Sequence, residues 1–270
     1  MNYWREKIVV VTGGAAGLGK TLAHHLARLG AHLVLADRDE PALGATTSDL
    51  PRAGGQARAV VTDITHQESV DGLFAEVDRH FGRLDALINC AGRSGRGELR
   101  NTLPEAFQQF LDINFLGTVR CTLAALPRLL PRRGHLVNVG SLAAKMAARY
   151  MGAYPVSKFA VAAFSQQLRL ELAEQGLHVL LVCPGPLARD DAGRRYTEQA
   201  VNLPPGARSP GGGVRLKQLD PNYVARRILR ACERRQPELV IPAKARILAA
   251  IAQLWPSLGD RIIRKMTDPG

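Results

Sequence analysis

Tyr154 and Lys158 stand four residues apart in the segment YPVSKFAVAAF, which reads as helical. That spacing puts both side chains on one helix face, a turn apart. A tyrosine with a reference pKa of about 10 is a poor base at neutral pH. A neighbouring ammonium favours the phenolate, and each unit of lowering corresponds to about 1.4 kcal/mol. Such a pair suits proton transfer, the phenol acting as acid in one direction and base in the other. Ser141 lies thirteen residues before Tyr154, at the end of an apolar run. A hydroxyl there can hold a substrate oxygen and stabilise developing alkoxide character. Alone, a Tyr-x-x-x-Lys pair recurs by chance in many helices. Ser141 and a glycine loop near the N-terminus give this one its weight.

The loop runs Thr12-Gly13-Gly14-Ala15-Ala16-Gly17-Leu18-Gly19, between a β-branched run and a helical pattern. Small residues let a pyrophosphate approach the backbone, and the helix N-terminus behind it offers unpaired N–H groups and a positive dipole end. A tight turn would use glycines too, but the strand–turn–helix setting points to dinucleotide binding. The second strand closes at Asp37. A carboxylate there accepts from both adenosine ribose hydroxyls and repels a 2′-phosphate. Arg38 directly follows and could meet that phosphate if Asp37 turned away. NAD is therefore the expected cofactor and NADP the alternative.

The elements that must hold these groups alternate. Strands are expected at Ile8 to Thr12, His32 to Ala36, Ala57 to Thr62, Leu84 to Asn89, His135 to Gly140, His178 to Cys183 and Leu239 to Ile241. Between them lie helical patterns from Gly17 to Leu29, from about Glu40, from Gln67 to Phe81, between Pro104 and Leu130, from Ala153 to Gln175 and from Asp220 to Arg235. Apolar strands separated by amphipathic helices mean an α/β fold, a doubly wound parallel sheet of about seven strands with helices on both faces. No repeat or interdomain linker is visible, so residues 1–270 read as one domain. Residues 186–219, rich in Pro, Gly and Arg, read as a long loop after the sixth strand, mobile by composition and either a functional lid or disordered. Residues 243–270 read as an amphipathic extension, with Pro256 and Gly259 expected to break it into two short helices.

Composition excludes several classes. With 270 residues, 46% hydrophobic and 22% charged, the chain can bury a full core and is neither disordered nor fibrous. Its 4 cysteines form no C-x-x-C pair and no spacing with histidine that suggests a metal, so no metal site is expected and a reducing compartment fits. His24 and His25 read as surface residues; Cys90 and Cys183 read as small core side chains. No targeting segment is evident and no run approaches a membrane span, so a cytoplasmic protein is expected. The net charge is +12, and residues 186–270 hold 16 basic against 8 acidic side chains. That basic third is either a solvated face or a contact for anionic lipid, nucleic acid or acidic substrate. No aromatic–basic interleaving supports nucleic acid.

The ordered motifs resemble the short-chain dehydrogenase/reductase family over residues 7–241. TGGAAGLG is similar to its TGxxxGxG loop, INCAG to its NNAG segment, and YPVSK to its YxxxK pair. CPGPLAR is similar to PGxxxT, with Arg189 where threonine is usual. The resemblance implies an oxidoreductase using a nicotinamide cofactor on a secondary alcohol or ketone. It assigns catalysis to Asn114, Ser141, Tyr154 and Lys158, with Lys158 also holding the nicotinamide ribose and Asn114 anchoring a water. It implies cofactor contacts at Thr12, Gly13, Ala16 to Gly19 (Gly17 and Leu18 included), Asp37, Arg38, Asp63, Ile64, Asn89, Ala91, Gly92, Pro184, Gly185 and Leu187. It further implies a homodimer or homotetramer through the helices at 104–130 and 153–175, and a loose likeness to hydroxysteroid and retinol dehydrogenases. Two rivals stand beside this reading: an NADPH-dependent 3-oxoacyl reductase, which Asp37 disfavours, and a non-catalytic cofactor-binding regulator. The tail, with Trp255 and flanking cations, either packs over the substrate pocket or a partner subunit, or lies on an anionic membrane as a peripheral contact.

Overall fold

Seven short runs rich in Val, Ile and Leu pair side by side, all parallel, in the order β3-β2-β1-β4-β5-β6-β7. They are β1 (Ile8–Thr12), β2 (His32–Asp37), β3 (Ala57–Val61), β4 (Ala86–Asn89), β5 (His135–Val139), β6 (His178–Pro184) and β7 (Glu238–Ile241). The computed structural model describes residues 2–51, 53–188, 196, 199–204, 207 and 216–267.

Side-chain alternation along each strand divides the core between two faces. Val9, Val11, Leu33 and Leu35 pack with α1 (Gly17–Arg28), α2 (Glu40–Ser48) and α7 (Pro221–Glu233). Ile8, Val10 and Val34 pack with α3 (Gln67–Phe81), α5 (Gly117–Leu129) and α6 (Tyr154–Glu171). Asp220 caps α7, accepting the N–H groups of Asn222 and Tyr223, and Pro221 occupies the first helical position.

Local detail refines these expectations and corrects one, the role of Gly259. The helical region after Pro104 is α4 (Pro104–Leu111) joined to α5 by a π-helical turn, Asp112–Leu116, centred on Asn114. The tail forms α8 (Ala245–Leu254) and α9 (Pro256–Met266), and the chain turns at Trp255. Gly259 does not break a helix. It lies inside α9, where a Cβ would sit 2.4 Å from Ala252 Cα, so it permits close crossing of the two helices. The loop after β6 is pinned at its base, with Ala188 donating to the Leu219 carbonyl and Leu219 to that of Pro186. Arg189 lies outside the described residues.

Candidate active site

Parallel strands bring all their carboxyl ends to one edge, and the order reverses between β1 and β4. Doubly wound sheets bind ligands at that switch point. The glycine loop sits there. Gly13 has φ +71° and its missing Cβ would lie 2.8 Å from Ala91 backbone atoms. A Cβ on Gly19 would meet the Gly13 carbonyl oxygen at 2.1 Å, so only glycine lets α1 start so close to the turn. Gly17, at φ +54°, faces open space. This is a backbone cradle with room for a bulky anion before the helix N-terminus.

Asp37 is fixed from two sides. Its Oδ2 accepts the Ala15 N–H at 3.1 Å and its Oδ1 the Asp39 N–H at 3.2 Å. Asp63 accepts both the N–H and the hydroxyl of Thr65, and that hydroxyl is the main cause holding its carboxyl below the usual range. Gly13, Ala16 to Gly19, Asp37, Arg38, Asp63 and Ile64 line one cavity of about 1360 Å³. Ala91, Gly92, Pro184, Gly185 and Leu187 line it too.

Ser141, Tyr154 and Lys158 line that same cavity. Ser141 ends the β5 segment, and its Oγ accepts the Ala143 N–H at 3.1 Å, leaving its own O–H to donate. Tyr154 opens α6, 8% exposed, its ring edge-on to Phe110. Lys158, one turn on, donates to the Val139 carbonyl at 2.9 Å. Burial pushes its ammonium down to about 8.

Three expected site residues lie behind the cavity wall instead. Asn114 Oδ1 accepts the Arg93 N–H at 2.7 Å, and its Nδ2 donates to the Arg93 carbonyl and to Ser157 Oγ. Its own carbonyl accepts the Thr118 hydroxyl. The Asn114 side chain thus ties the segment after β4 to α6. Thr12 Oγ1 accepts the N–H groups of Cys90 and Ala91, tying β1 to the end of β4. Asn89 donates to Thr122 and Asn138 in a buried polar ladder, so its side chain points into the core.

The description "short chain dehydrogenase" matches residues 7–200. This chain belongs to the short-chain dehydrogenase family. Relatives include "Dehydrogenase/reductase SDR family member 7B" of Danio rerio, 31% identical over 96% of this chain and 85% of that protein. A "Glycine betaine reductase ATRR" of Emericella nidulans is 35% identical over 87% of this chain, which spans only 18% of that much longer protein. A solved "short chain dehydrogenase/reductase SDR from Burkholderia phymatum in complex with NAD" superposes with TM-score 0.78 at 27% identity, covering 94% of this chain and 96% of the other. The fold here is thus the Rossmann-like one of the short-chain dehydrogenases, a family of oxidoreductases.

Other cavity residues of this family member escaped sequence reasoning. Lys20, His24 and Arg28 line the cavity beside Arg38, because α1 starts at the loop and keeps one flank toward it. Helical spacing from Gly17 could have flagged them. Cys90 packs against the core and also lines the cavity. Arg96, 8% exposed, stacks on Tyr196 with its guanidinium 3.9 Å from the ring centroid. Six apolar tail residues line the far end: Ile247, Leu248, Ile251, Ile262, Ile263 and Met266.

At the opposite sheet edge the fold gathers His135, His178 and Cys232, a grouping the sequence spacing did not suggest. Its ring nitrogens form a hydrogen-bonded chain. Gln236 O can only accept, so His178 Nε2 carries a proton toward it at 2.7 Å. Neutral His178 then accepts from His135 Nδ1 at 2.7 Å, and His135 Nε2 accepts the Tyr3 hydroxyl at 2.5 Å. Burial pushes His135 down to about 3 and His178 below its ordinary value.

Proposed function

We propose that this protein transfers hydride between NAD and the carbinol carbon of a secondary alcohol or ketone, with Tyr154 as general acid and base. The observation that carries it is the sharing of one cavity by the glycine cradle, Asp37, Ser141, Tyr154 and Lys158. Gly13 and Gly19 let the turn close tightly, Gly17 faces the open space where a pyrophosphate would sit, and the doubly anchored Asp37 carboxylate supports the ribose hydroxyls of NAD. Bound there, the cofactor supplies or accepts the hydride.

The chain's own groups handle the proton. Ser141 donates its hydroxyl to the substrate oxygen and orients it. Tyr154 delivers its phenolic proton to that oxygen in reduction and removes it in oxidation. Lys158, still largely protonated at neutral pH, places positive charge one helical turn from Tyr154 and favours the phenolate. The runner-up, an NADPH-dependent 3-oxoacyl reductase, draws support from Lys20, Arg28 and Arg38 on the cavity wall, which could meet a 2′-phosphate.

The test is Tyr154→Phe. Turnover on secondary alcohols or ketones, read by nicotinamide absorbance, should fall roughly 10²–10⁴-fold. NAD dissociation constants should stay nearly unchanged. A variant that keeps wild-type turnover sinks the assignment.

A further inference from the structure

We propose that the α8–α9 hairpin docks the substrate end of the cavity onto an anionic phospholipid surface, from which the enzyme draws an amphiphilic substrate. The proposal rests on the oxidoreductase reading for the reaction, but the docking stands on its own surface. The hairpin has two apolar sides. Leu248, Ile251, Ile262 and Ile263 face the cavity. Leu254, Trp255 and Leu258 crowd the turn and stand 67%, 60% and 45% exposed. Ile247 belongs to both: it lines the cavity, is 67% exposed, and seven residues before Leu254 shares its side of α8. A soluble domain with no occupant for such a tip would leave it wet at a cost in free energy.

Charge selects the occupant. From residue 244 to 265 the hairpin carries Lys244, Arg246, Arg261, Arg264 and Lys265 against Asp260 alone. All five cations are exposed. A second copy seated tip to tip would set cations against cations. An anionic bilayer surface satisfies both features: tryptophan and leucine enter the interface while lysine and arginine meet phosphate headgroups. Among the described residues no helix is long and apolar enough to cross a membrane, so the contact is interfacial. The cavity's far end would then open where aliphatic molecules are dissolved, and its apolar wall suits an alcohol or ketone with a long hydrocarbon part.

The chain supplies its own probe. It has 2 tryptophans; Trp4 is fully buried, so an environment-dependent emission shift reports Trp255. The full chain is mixed with phosphatidylcholine vesicles, with and without about 30 mol% phosphatidylglycerol. Expected are co-sedimentation and a blue shift with the anionic vesicles only, both reversed by about 0.5 M salt. The triple variant R261Q/R264Q/K265Q should partition on the order of a hundredfold more weakly. L254S/L258S, at exposed positions, should keep its melting temperature and lose the blue shift. A chain that stays in the supernatant with anionic vesicles at low salt overturns the proposal. So does a concentration-dependent blue shift in buffer alone with dimer mass by light scattering, which would mean a second copy covers the tip. Hydride transfer to a small water-soluble ketone without lipid should be equal in wild type and both variants. Its absence in all three would overturn the oxidoreductase reading and leave the docking result standing.

Discussion

Replacing Lys158 by methionine should abolish turnover and yet stabilise the cofactor-free protein. The side chain is fully buried, and burial lowers its pKa from 10.5 to about 8. In the unfolded chain the same lysine holds its proton up to its ordinary value. Between about pH 8 and 10.5 the unfolded state therefore binds more protons, and stability rises with pH across that window. Below it both states are protonated and the folded chain carries the whole penalty, about 3 kcal/mol. Methionine, similar in volume, relieves that penalty but strands the Val139 carbonyl, which costs about 1 kcal/mol. The net gain at neutral pH is about 2 kcal/mol, or about 5 °C in Tm for a domain of this size. Thermal unfolding of both proteins without cofactor, at neutral pH and near pH 9.5, reads it directly. Wild type should gain about 2 kcal/mol on the alkaline side relative to the variant. A variant that melts lower than wild type at neutral pH, or shows the same pH dependence, would refute the burial argument.

Asp37→Ala should weaken NAD roughly tenfold or more and narrow the gap to NADP, since a charged hydrogen-bond partner of the ribose is lost; a wild-type protein that binds NADP more tightly would end the NAD assignment. The folded His135 titrates near 3 against an ordinary 6.5, so its stabilising neutrality is complete above 6.5 and is lost as pH falls toward 3. By pH 4.5 the loss is about 3 kcal/mol, and urea titrations of His135→Gln should show a correspondingly flatter acid limb; equal limbs would refute it. Leu123, Val156, Phe159 and Leu170 are exposed on α5 and α6. A homodimer or homotetramer burying them is expected in light scattering, and a monomer at micromolar concentration refutes it.

The sheet was legible because a doubly covered parallel strand must be apolar on both sides, which the inner runs such as β1 and β4 show plainly, while the edge strand β3 carries Arg58 and is partly exposed. The glycine cradle was legible too, since only strand, small residues and helix in that order make one. Other features depend on distant closure. No local pattern says that Asn89 meets Thr122 and Asn138, or that His135 meets His178 and Tyr3. The Asn114 side chain bonds Arg93 and Ser157 from within a π-helical turn that spacing did not reveal. For the tail, helical periodicity showed an apolar stripe without showing what it faces. Gly259 looked like a breaker because glycine is costly in helices; its use at the crossing with Ala252 appears only in three dimensions.

One physical cause acts at both edges of the sheet with opposite consequences. Burial disfavours a cation, and it lowers Lys158 and His135 alike. Lysine starts high enough that, after lowering to about 8, it keeps its charge at neutral pH. Histidine starts near 6.5, so the same displacement leaves it neutral and able to accept the Tyr3 hydroxyl. A histidine at position 158 would therefore lose the charge that the proposed Tyr154 phenolate draws on. An arginine would keep it, but a planar guanidinium does not fit where a single Nζ meets the Val139 carbonyl and stands 3.5 Å from the position a Cβ on Gly92 would take. The residue types at the two edges follow from where each reference pKa stands before burial, and the carboxyl edge keeps a buried cation only because lysine begins so far above neutrality.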